Sequence, residues 1–229
     1  MAGIGDVEVV VFDVLGTLAD DDGGLRQEFR AVLPGADDAY AQELLGVWMR
    51  HVAGEQRRIE RGERPYASST VIDAEAAHRV AAHAGLADPA VISRLATAGR
   101  RPPPFPDAIA GLDRLARRFA LVALSNASRT ALLHLNAHAG LRWHQALSTE
   151  PAGAYKPAPR AYRLAIDAAG SPPDRMLMVA AHAWDLRGAQ AAGMRTAYVH
   201  RPEGDPPTAS DTFDGRFTDM DELAGALVP

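Results

Sequence analysis

The 229-residue chain contains no cysteine, no excess of basic residues and no long apolar run. Without cysteine it can form no disulfide, thiolate nucleophile or cysteine metal site. Its 24 Lys and Arg residues against 29 Asp and Glu give a net charge of -5, so we expect no nucleic-acid partner. No segment approaches the roughly 18 apolar residues that cross a membrane. We therefore expect a cytoplasmic protein that acts on a small molecule and has no membrane partner.

Strand-like and helix-like segments alternate along most of the chain, and 47% of its residues are hydrophobic. Apolar runs typical of strands buried on both faces occupy residues 7–12, 119–126, 146–148, 175–182 and 195–200. Helix-like segments occupy residues 106–118, 129–139, 159–169 and 185–192. This alternation predicts a doubly wound α/β fold with a parallel five-stranded sheet. The Pro- and Gly-rich residues 200–211 predict a surface loop before a short C-terminal element.

Residues 20–100 interrupt this alternation, because they contain no strand-like run. Amphipathic helical stretches fill the segment at residues 39–61, 71–84 and 89–98. It ends in "RRPPPFPD", residues 100–107, whose prolines exclude a helix and favour a stiff hinge or linker. We predict a helical cap domain of residues 20–100 above the strand ends of a core formed by residues 1–19 and 101–229.

Polar residues follow four of the predicted strands. In an open parallel sheet, ligands bind beyond the carboxyl ends of the strands. Any one of these residues is equally well explained as a helix cap or turn residue, but four strand ends together indicate a site. They are Asp13 and Thr17, Ser125 and Asn126, Tyr155 and Lys156, and His182 and Asp185.

Asp13 is the strongest catalytic candidate, since it comes directly after the apolar run "VVVF". A carboxylate in such a place is costly to bury unless a cation pairs with it. Lys156 is the available cation, and it would keep Asp13 ionised and competent as a nucleophile.

Four motifs, in order, give the chain a resemblance to the haloacid dehalogenase superfamily. They are "FDVLGTL", "LSN", "YKPAPRAY" and "MVAAHAWDLRGAQAAGMRTAYV". Within the superfamily the chain is most similar to the L-2-haloacid dehalogenases, through "YKPxPxxY" and "AWD". The resemblance implies the strand order 3-2-1-4-5 and possible homodimers.

The resemblance also implies roles for individual residues. Asp13 would attack C2 of a 2-halo acid and form an aspartyl ester, Lys156 would pair with Asp13, and water oriented by Asp185 would hydrolyse the ester. Ser125 and Asn126 would hold the substrate carboxylate and the halide. Thr17 would position Asp13, and Tyr162 would support the pocket.

Two positions differ from the phosphatases of the same superfamily. Those enzymes carry a second aspartate where this chain has Leu15, and a metal-binding acid where it has Ala181. A phosphatase without them lacks its general acid and part of its metal site. Halide leaves without a proton, so neither loss harms a dehalogenase. We expect no metal and no cofactor.

Two further positions differ from the dehalogenases themselves. These enzymes place a halide-binding arginine directly after a tryptophan, whereas "VWMRHV" puts Arg50 one position later, about 100° around a helix. Arg50 is carried over as the candidate. His182 stands where the pattern has asparagine, either as a donor to Asp13 or as a histidine satisfied at a strand end.

Three other functions stay open at this stage. The same aspartyl ester would serve to hydrolyse a strained C–N ring or another electrophile that carries a carboxylate. A Mg²⁺-dependent phosphatase is disfavoured by Leu15 and Ala181. A binding protein that kept the fold without catalysis is the third, because fold does not fix function.

Overall fold

A computed structural model describes residues 6–228, and a parallel sheet of six strands lies at its centre. The strand order is β3-β2-β1-β4-β5-β6. The strands are β1 (Val9–Phe12), β2 (Ala120–Ser125), β3 (Gln145–Ser148), β4 (Met176–Ala180), β5 (Arg195–Val199) and β6 (Gly215–Phe217). The predicted doubly wound fold and the order of its first five strands are confirmed. The sixth strand was not predicted, because "GRF" has no apolar run.

Helices cover both faces of the sheet. The α-helices are α1 (Asp21–Val32), α2 (Asp38–Glu60), α3 (Ser69–Ala84), α4 (Pro89–Ala96), α5 (Ala108–Leu115), α6 (Arg129–Ala139), α7 (Pro159–Ala169), α8 (Ala183–Ala191) and α9 (Met220–Leu227). Within residues 6–228, no helix is both long and apolar enough to cross a membrane.

Strand β1 is the central strand and is completely covered. It pairs in parallel with β2 on one side and with β4 on the other. Val10 and Phe12 pack on the face covered by α5, α6 and α9. Val9 and Val11 pack on the face covered by α7 and α8. Burial on both faces explains why the sequence of β1 is uniformly apolar rather than alternating.

Helices α1 to α4, called the cap helices here, have a hydrophobic core of their own. Its buried members include Phe29, Leu44, Trp48, Val80 and Leu95. Helix α1 was not predicted, because it begins with the acidic and Gly-rich sequence "DDGG".

Two chain segments connect the cap helices to the sheet, and they run side by side. The amide of Asp20 donates to the carbonyl of Pro103 at 2.8 Å, and the amide of Phe105 donates to the carbonyl of Leu18 at 2.9 Å. The proline-rich exit is therefore extended and paired with the entry. The predicted domain division at residues 20 and 100 stays a prediction. The two paired segments lie close to both of these positions in the chain.

Candidate active site

A cavity of about 390 Å³ lies between the carboxyl edge of the sheet and the cap helices. Asp13 directly follows β1, and Ser125 is the last residue of β2. Lys156 precedes α7, and His182 is the residue before α8. All four line the cavity. The structure thus brings together side chains from four separate connections, as expected for the carboxyl edge of a parallel sheet.

Asp13 is held by one donor on each carboxylate oxygen. Thr17 Oγ1 donates to Oδ2 at 2.8 Å, and Lys156 Nζ donates to Oδ1 at 2.7 Å. The residue is 5% exposed. Burial alone would raise the pKa of this carboxyl, but the adjacent Lys156 ammonium holds the pKa below its usual value. Asp13 is therefore ionised at neutral pH and has fixed geometry, as a nucleophile requires.

Lys156 uses all three of its ammonium protons. Besides Asp13, its Nζ donates to Asp185 Oδ2 at 2.6 Å and to the carbonyl of Leu124 at 3.0 Å. Burial would lower the pKa of Lys156, but the two carboxylates raise it. The lysine stays charged and stabilises two buried carboxylates at once.

Asp185 is completely buried, and both of its carboxylate oxygens are occupied. Lys156 binds Oδ2, and the Tyr162 hydroxyl donates to Oδ1 at 2.7 Å. Asp185 is not among the side chains that line the cavity. Burial raises the pKa of Asp185 despite the neighbouring lysine. In this arrangement Asp185 binds Lys156, Tyr162 binds Asp185, and neither side chain lines the cavity. Their predicted roles in the reaction stay predictions.

The turn after Asp13 depends on glycine. Gly16 has a φ of +73°, and a Cβ atom at this position would lie 2.6 Å from His182 Nε2. Next to it, Thr17 Oγ1 accepts a hydrogen bond from the amide of Ala181 at 3.0 Å. This bond ties the turn to the end of β4, so the hydroxyl that binds Asp13 is itself fixed.

Ser125 and Asn126 provide polar groups at the opposite wall. Ser125 Oγ accepts from the amide of Ala127 at 3.1 Å, which leaves its hydroxyl proton to donate. Asn126 Oδ1 accepts from the amide of Lys156 at 2.8 Å and from Thr149 Oγ1 at 3.3 Å. With the oxygen occupied, the amide NH₂ group of Asn126 remains as a donor. Both residues line the cavity, and their predicted roles in binding an anion stay predictions.

Leu15 and Ala181 occupy the two positions at which the phosphatases of the superfamily carry acidic residues. Leu15 lines the cavity next to Asp13, and Ala181 is completely buried. Between residues 6 and 228, no group of three His, Asp or Glu side chains is arranged to hold a metal ion.

The structure does not bring Arg50 to the cavity. Arg50 is exposed on α2, whereas its neighbour Met49 lines the cavity. Successive helical residues point about 100° apart, so only one of the two faces the site. No arginine belongs to the lining of this cavity in the described chain.

We expect Arg50→Ala to change kcat/KM for halide release less than about twofold, because the side chain lies on the solvent side of α2. Steady-state halide release from 2-chloropropionate would measure this. Met49→Ala is the matched variant on the cavity side, and it should alter KM. A tenfold loss in Arg50→Ala would mean that the guanidinium reaches the substrate.

Several lining residues were not predicted as site residues. Met49, Val52, Ala53 and Gln56 form one face of α2, and their helical spacing was the available signal. Trp184 lines the cavity and stacks on His182 with ring centroids 5.7 Å apart.

Asp21 and Asp73 also line the cavity. Burial raises the pKa of Asp21 to about 8 and that of Asp73 to about 7. The sequence contains no pattern from which the burial of these two carboxyl groups could be predicted.

The raised pKa of Asp73 predicts a pH-dependent cost to stability. Between the ordinary carboxyl pKa of the unfolded chain and about 7, the unfolded state loses its proton while the folded state keeps it, so stability falls as pH rises. We expect Asp73→Asn to stabilise the protein by on the order of 1 kcal/mol, with a gain that grows from pH 5 to pH 7 and then levels off. Urea unfolding at several pH values would measure this. A gain that is constant with pH would contradict the assignment.

Fold and site together define a doubly wound α/β protein with a buried aspartate–lysine–aspartate group under a helical cap. The model of the haloacid dehalogenase-like hydrolase family matches residues 7–193, so the chain belongs to this family of hydrolases. The (S)-2-haloacid dehalogenase H-109 of Pseudomonas putida is 29% identical over 204 residues, 85% of this chain and 86% of that protein. The (S)-2-haloacid dehalogenase of Pseudomonas sp. strain YL is 30% identical over 202 residues, 85% of this chain and 83% of that protein. The crystal structure of the L-2-haloacid dehalogenase PA0810 has a TM-score of 0.88 at 30% identity and covers 96% of this chain and 98% of its own.

Proposed function

We propose that the protein hydrolyses the carbon–halogen bond of small 2-halocarboxylic acids to give 2-hydroxy acids, through an aspartyl ester on Asp13. The observation that carries the proposal is the ionised Asp13 carboxylate, held by Lys156 and Thr17 at the wall of the cavity. Similarity to (S)-2-haloacid dehalogenases over most of the chain supports the choice of substrate.

In the first step, an oxygen of Asp13 attacks C2 of the substrate from behind the halogen. A C–O bond forms, the C–halogen bond breaks, and the halide leaves with the bonding electrons. The Ser125 hydroxyl and the Asn126 amide group are the donors available for the substrate carboxylate and the departing anion. Lys156 then balances the charge of Asp185 alone, so the site tolerates loss of charge at Asp13.

In the second step, water attacks the carboxyl carbon of the Asp13 ester. The bond between that carbon and the substrate oxygen breaks, the 2-hydroxy acid leaves, and one oxygen of the regenerated carboxylate comes from water.

Leu15 fits this chemistry because of the leaving group. An alkoxide needs a proton donor, whereas halide is the anion of a strong acid and leaves unprotonated. The side chain of Leu15 lines the cavity beside Asp13 and has no proton to donate to a leaving group, and a halide needs none. We propose that the reaction needs no metal ion.

The acidic wall of the cavity favours one second candidate, the hydrolysis of a strained C–N ring that carries a carboxylate. Asp21 and Asp73 line the cavity, and the raised pKa of Asp21 lets it hold a proton at neutral pH. An amine leaving group needs such a proton, and the ammonium product would suit a carboxylate wall.

The test is to measure halide release from chloroacetate and from both enantiomers of 2-chloropropionate, with and without EDTA. We expect release from the (S) enantiomer that EDTA does not affect. A single turnover in ¹⁸O water should place label in the peptide that contains Asp13. Label found only in the product would exclude the ester. Release of an amine without halide would favour the second candidate, and EDTA-sensitive release of phosphate from a generic ester would indicate a phosphatase.

A further inference from the structure

We propose that a second cavity, next to the active site, binds the distal end of the substrate and selects a chain that ends in a second carboxylate. The preferred substrates are therefore long 2-halo dicarboxylic acids. This inference rests on the proposed function, because it names the class of 2-halo acid that the same site takes.

The second cavity, called the outer cleft here, has a volume of about 850 Å³. It lies between the second half of α2 and residues 154–160 at the start of α7. Ala53, Gln56, Lys156 and Trp184 line both the outer cleft and the active-site cavity. The two spaces therefore adjoin one another at these four residues. A chain attached to C2 of a substrate can extend from the active-site cavity into the outer cleft.

The boundary between the two spaces suits an apolar chain. On α2 it is formed by Ala53, whose side chain is a single methyl group, and by Gln56 one turn later. On the opposite side, Lys156 directs its ammonium group to Asp13 and Asp185, and its side chain is only 1% exposed. A chain that crosses the boundary therefore does not meet the charge of the lysine.

The walls of the outer cleft are mostly apolar. Ile59 and Tyr155 line it and are buried, and Pro157 and Pro159 line it next to them. Methylene groups that leave water for such walls gain free energy through the hydrophobic effect. The outer cleft thus suits the middle of a hydrocarbon chain.

Two arginines give the outer cleft a positive charge. Arg57, in the last turn of α2, and Arg160, in the first turn of α7, line it and are exposed. Arg160 also donates to the carbonyl of Gly153 at 2.7 Å, which positions its guanidinium group. Glu60 is the only carboxylate that the described part of the chain adds to this lining. Guanidinium groups bind carboxylates well, often through two parallel hydrogen bonds.

The active-site cavity has the opposite character. Asp21, Asp73 and Glu203 are among its lining residues, and within residues 6–228 no arginine is. A second carboxylate close to C2 would lie among these carboxyl groups. A second carboxylate at the end of a longer chain would lie beside Arg57 and Arg160. The two cavities together predict that a second carboxylate is unfavourable on a short chain and favourable on a long one.

The test compares pairs of (S)-2-bromo acids that differ only at the distal end. The short pair is 2-bromobutanoate and 2-bromobutanedioate, and the long pair is 2-bromooctanoate and 2-bromooctanedioate. The selectivity is kcat/KM for bromide release from the dicarboxylate divided by kcat/KM for the monocarboxylate. We expect a wild-type selectivity below one for the short pair and above one for the long pair. A selectivity below one for both pairs would overturn the inference.

Arg57→Gln tests the positive charge. It should lower the selectivity for the long pair by about two- to fivefold, the range of an exposed ion pair, and high salt should have the same effect on the wild-type protein. Arg58→Gln is the matched control, because Arg58 pairs with Glu55 and lies outside the lining. It should keep the wild-type selectivity. An unchanged selectivity in Arg57→Gln would contradict the role of the guanidinium group.

Ala53→Phe tests the boundary. The phenyl group should lower kcat/KM for 2-bromooctanedioate by about tenfold more than kcat/KM for 2-chloropropionate. Gly54→Phe is the matched variant, because a Cβ atom at position 54 has no other atom within 4 Å. It should keep the wild-type ratio, and thermal unfolding checks that both variants fold. Equal losses on the two substrates in Ala53→Phe would mean that the chain does not pass this residue.

Binding without turnover separates this inference from the function on which it rests. Calorimetric titration with octanedioate and with octanoate, which carry no halogen, should show tighter binding of octanedioate. This difference should shrink in Arg57→Gln. If the wild-type protein shows the difference but releases no halide from any substrate, the proposed function fails and the outer cleft stands as a carboxylate site. Halide release with no preference for the long dicarboxylate would refute the inference alone.

Discussion

Asp13→Asn is expected to lower the rate of halide release by at least about 10³-fold, because the amide cannot form the ester. The substitution preserves the size of the side chain. Lys156 keeps Asp185 and the carbonyl of Leu124 as acceptors, so the fold should survive. Halide release and circular dichroism of the purified variant would measure the two effects.

The matched control for Asp13→Asn is Asp167→Asn, which makes the same chemical change on an exposed carboxylate of α7. It should release halide at the wild-type rate. A rate for Asp13→Asn within tenfold of wild type would remove Asp13 from the mechanism.

Lys156→Met is expected to lower both stability and activity. Methionine resembles lysine in length, but without the ammonium group Asp13 and Asp185 are two buried carboxylates with no cation. Removing one partner of a buried ion pair costs about 3–5 kcal/mol. The pKa of Asp13 should also rise, since Lys156 is the group that lowers it. The loss of stability should shrink at lower pH, where one carboxyl takes up a proton in the folded state.

Urea unfolding and halide release would separate these two effects. The double variant Lys156→Met with Asp185→Asn removes one of the buried charges and should recover part of the lost stability. It should not recover activity, because Asp13 still lacks its cation. An unfolding free energy for Lys156→Met within 1 kcal/mol of wild type would show that the buried group contributes little to the fold.

The fold was largely predictable because a strand that is buried on both faces of the sheet has a uniformly apolar sequence. The uniform run of β1 and the alternation of strands with helices were sufficient for the first five strands. The same logic placed Asp13, Ser125 and His182 at one edge, since parallel strands share their direction. Strand β6 and helix α1 were not predicted, because their sequences contain glycine and charged residues instead of an apolar pattern.

Side-chain contacts were harder to predict than positions. The sequence indicated that Asp185 lies at the site, but its enclosure by Lys156 and Tyr162 depends on packing between β4, α7 and α8 that no spacing encodes. Arg50 was chosen as the halide-binding candidate because it lies near Trp48 in the sequence. It is one residue further along α2 than in the family pattern, and at about 100° per residue its side chain faces away from the cavity. The sequence could not predict that Asp21 and Asp73 line the cavity, because this depends on where the cap helices lie in three dimensions.

The pairing of β1 has a consequence for how the site comes into existence. Its two neighbours in the sheet begin about 110 and about 170 residues after it, so Asp13 is made long before the strands that flank it. The cap helices, by contrast, contact one another over short stretches of chain and can form early. A chain that has just been synthesised as far as α6 thus contains Asp13 without the lysine that pairs with it. Reactivity is expected to appear only when the second half of the sheet has closed around β1.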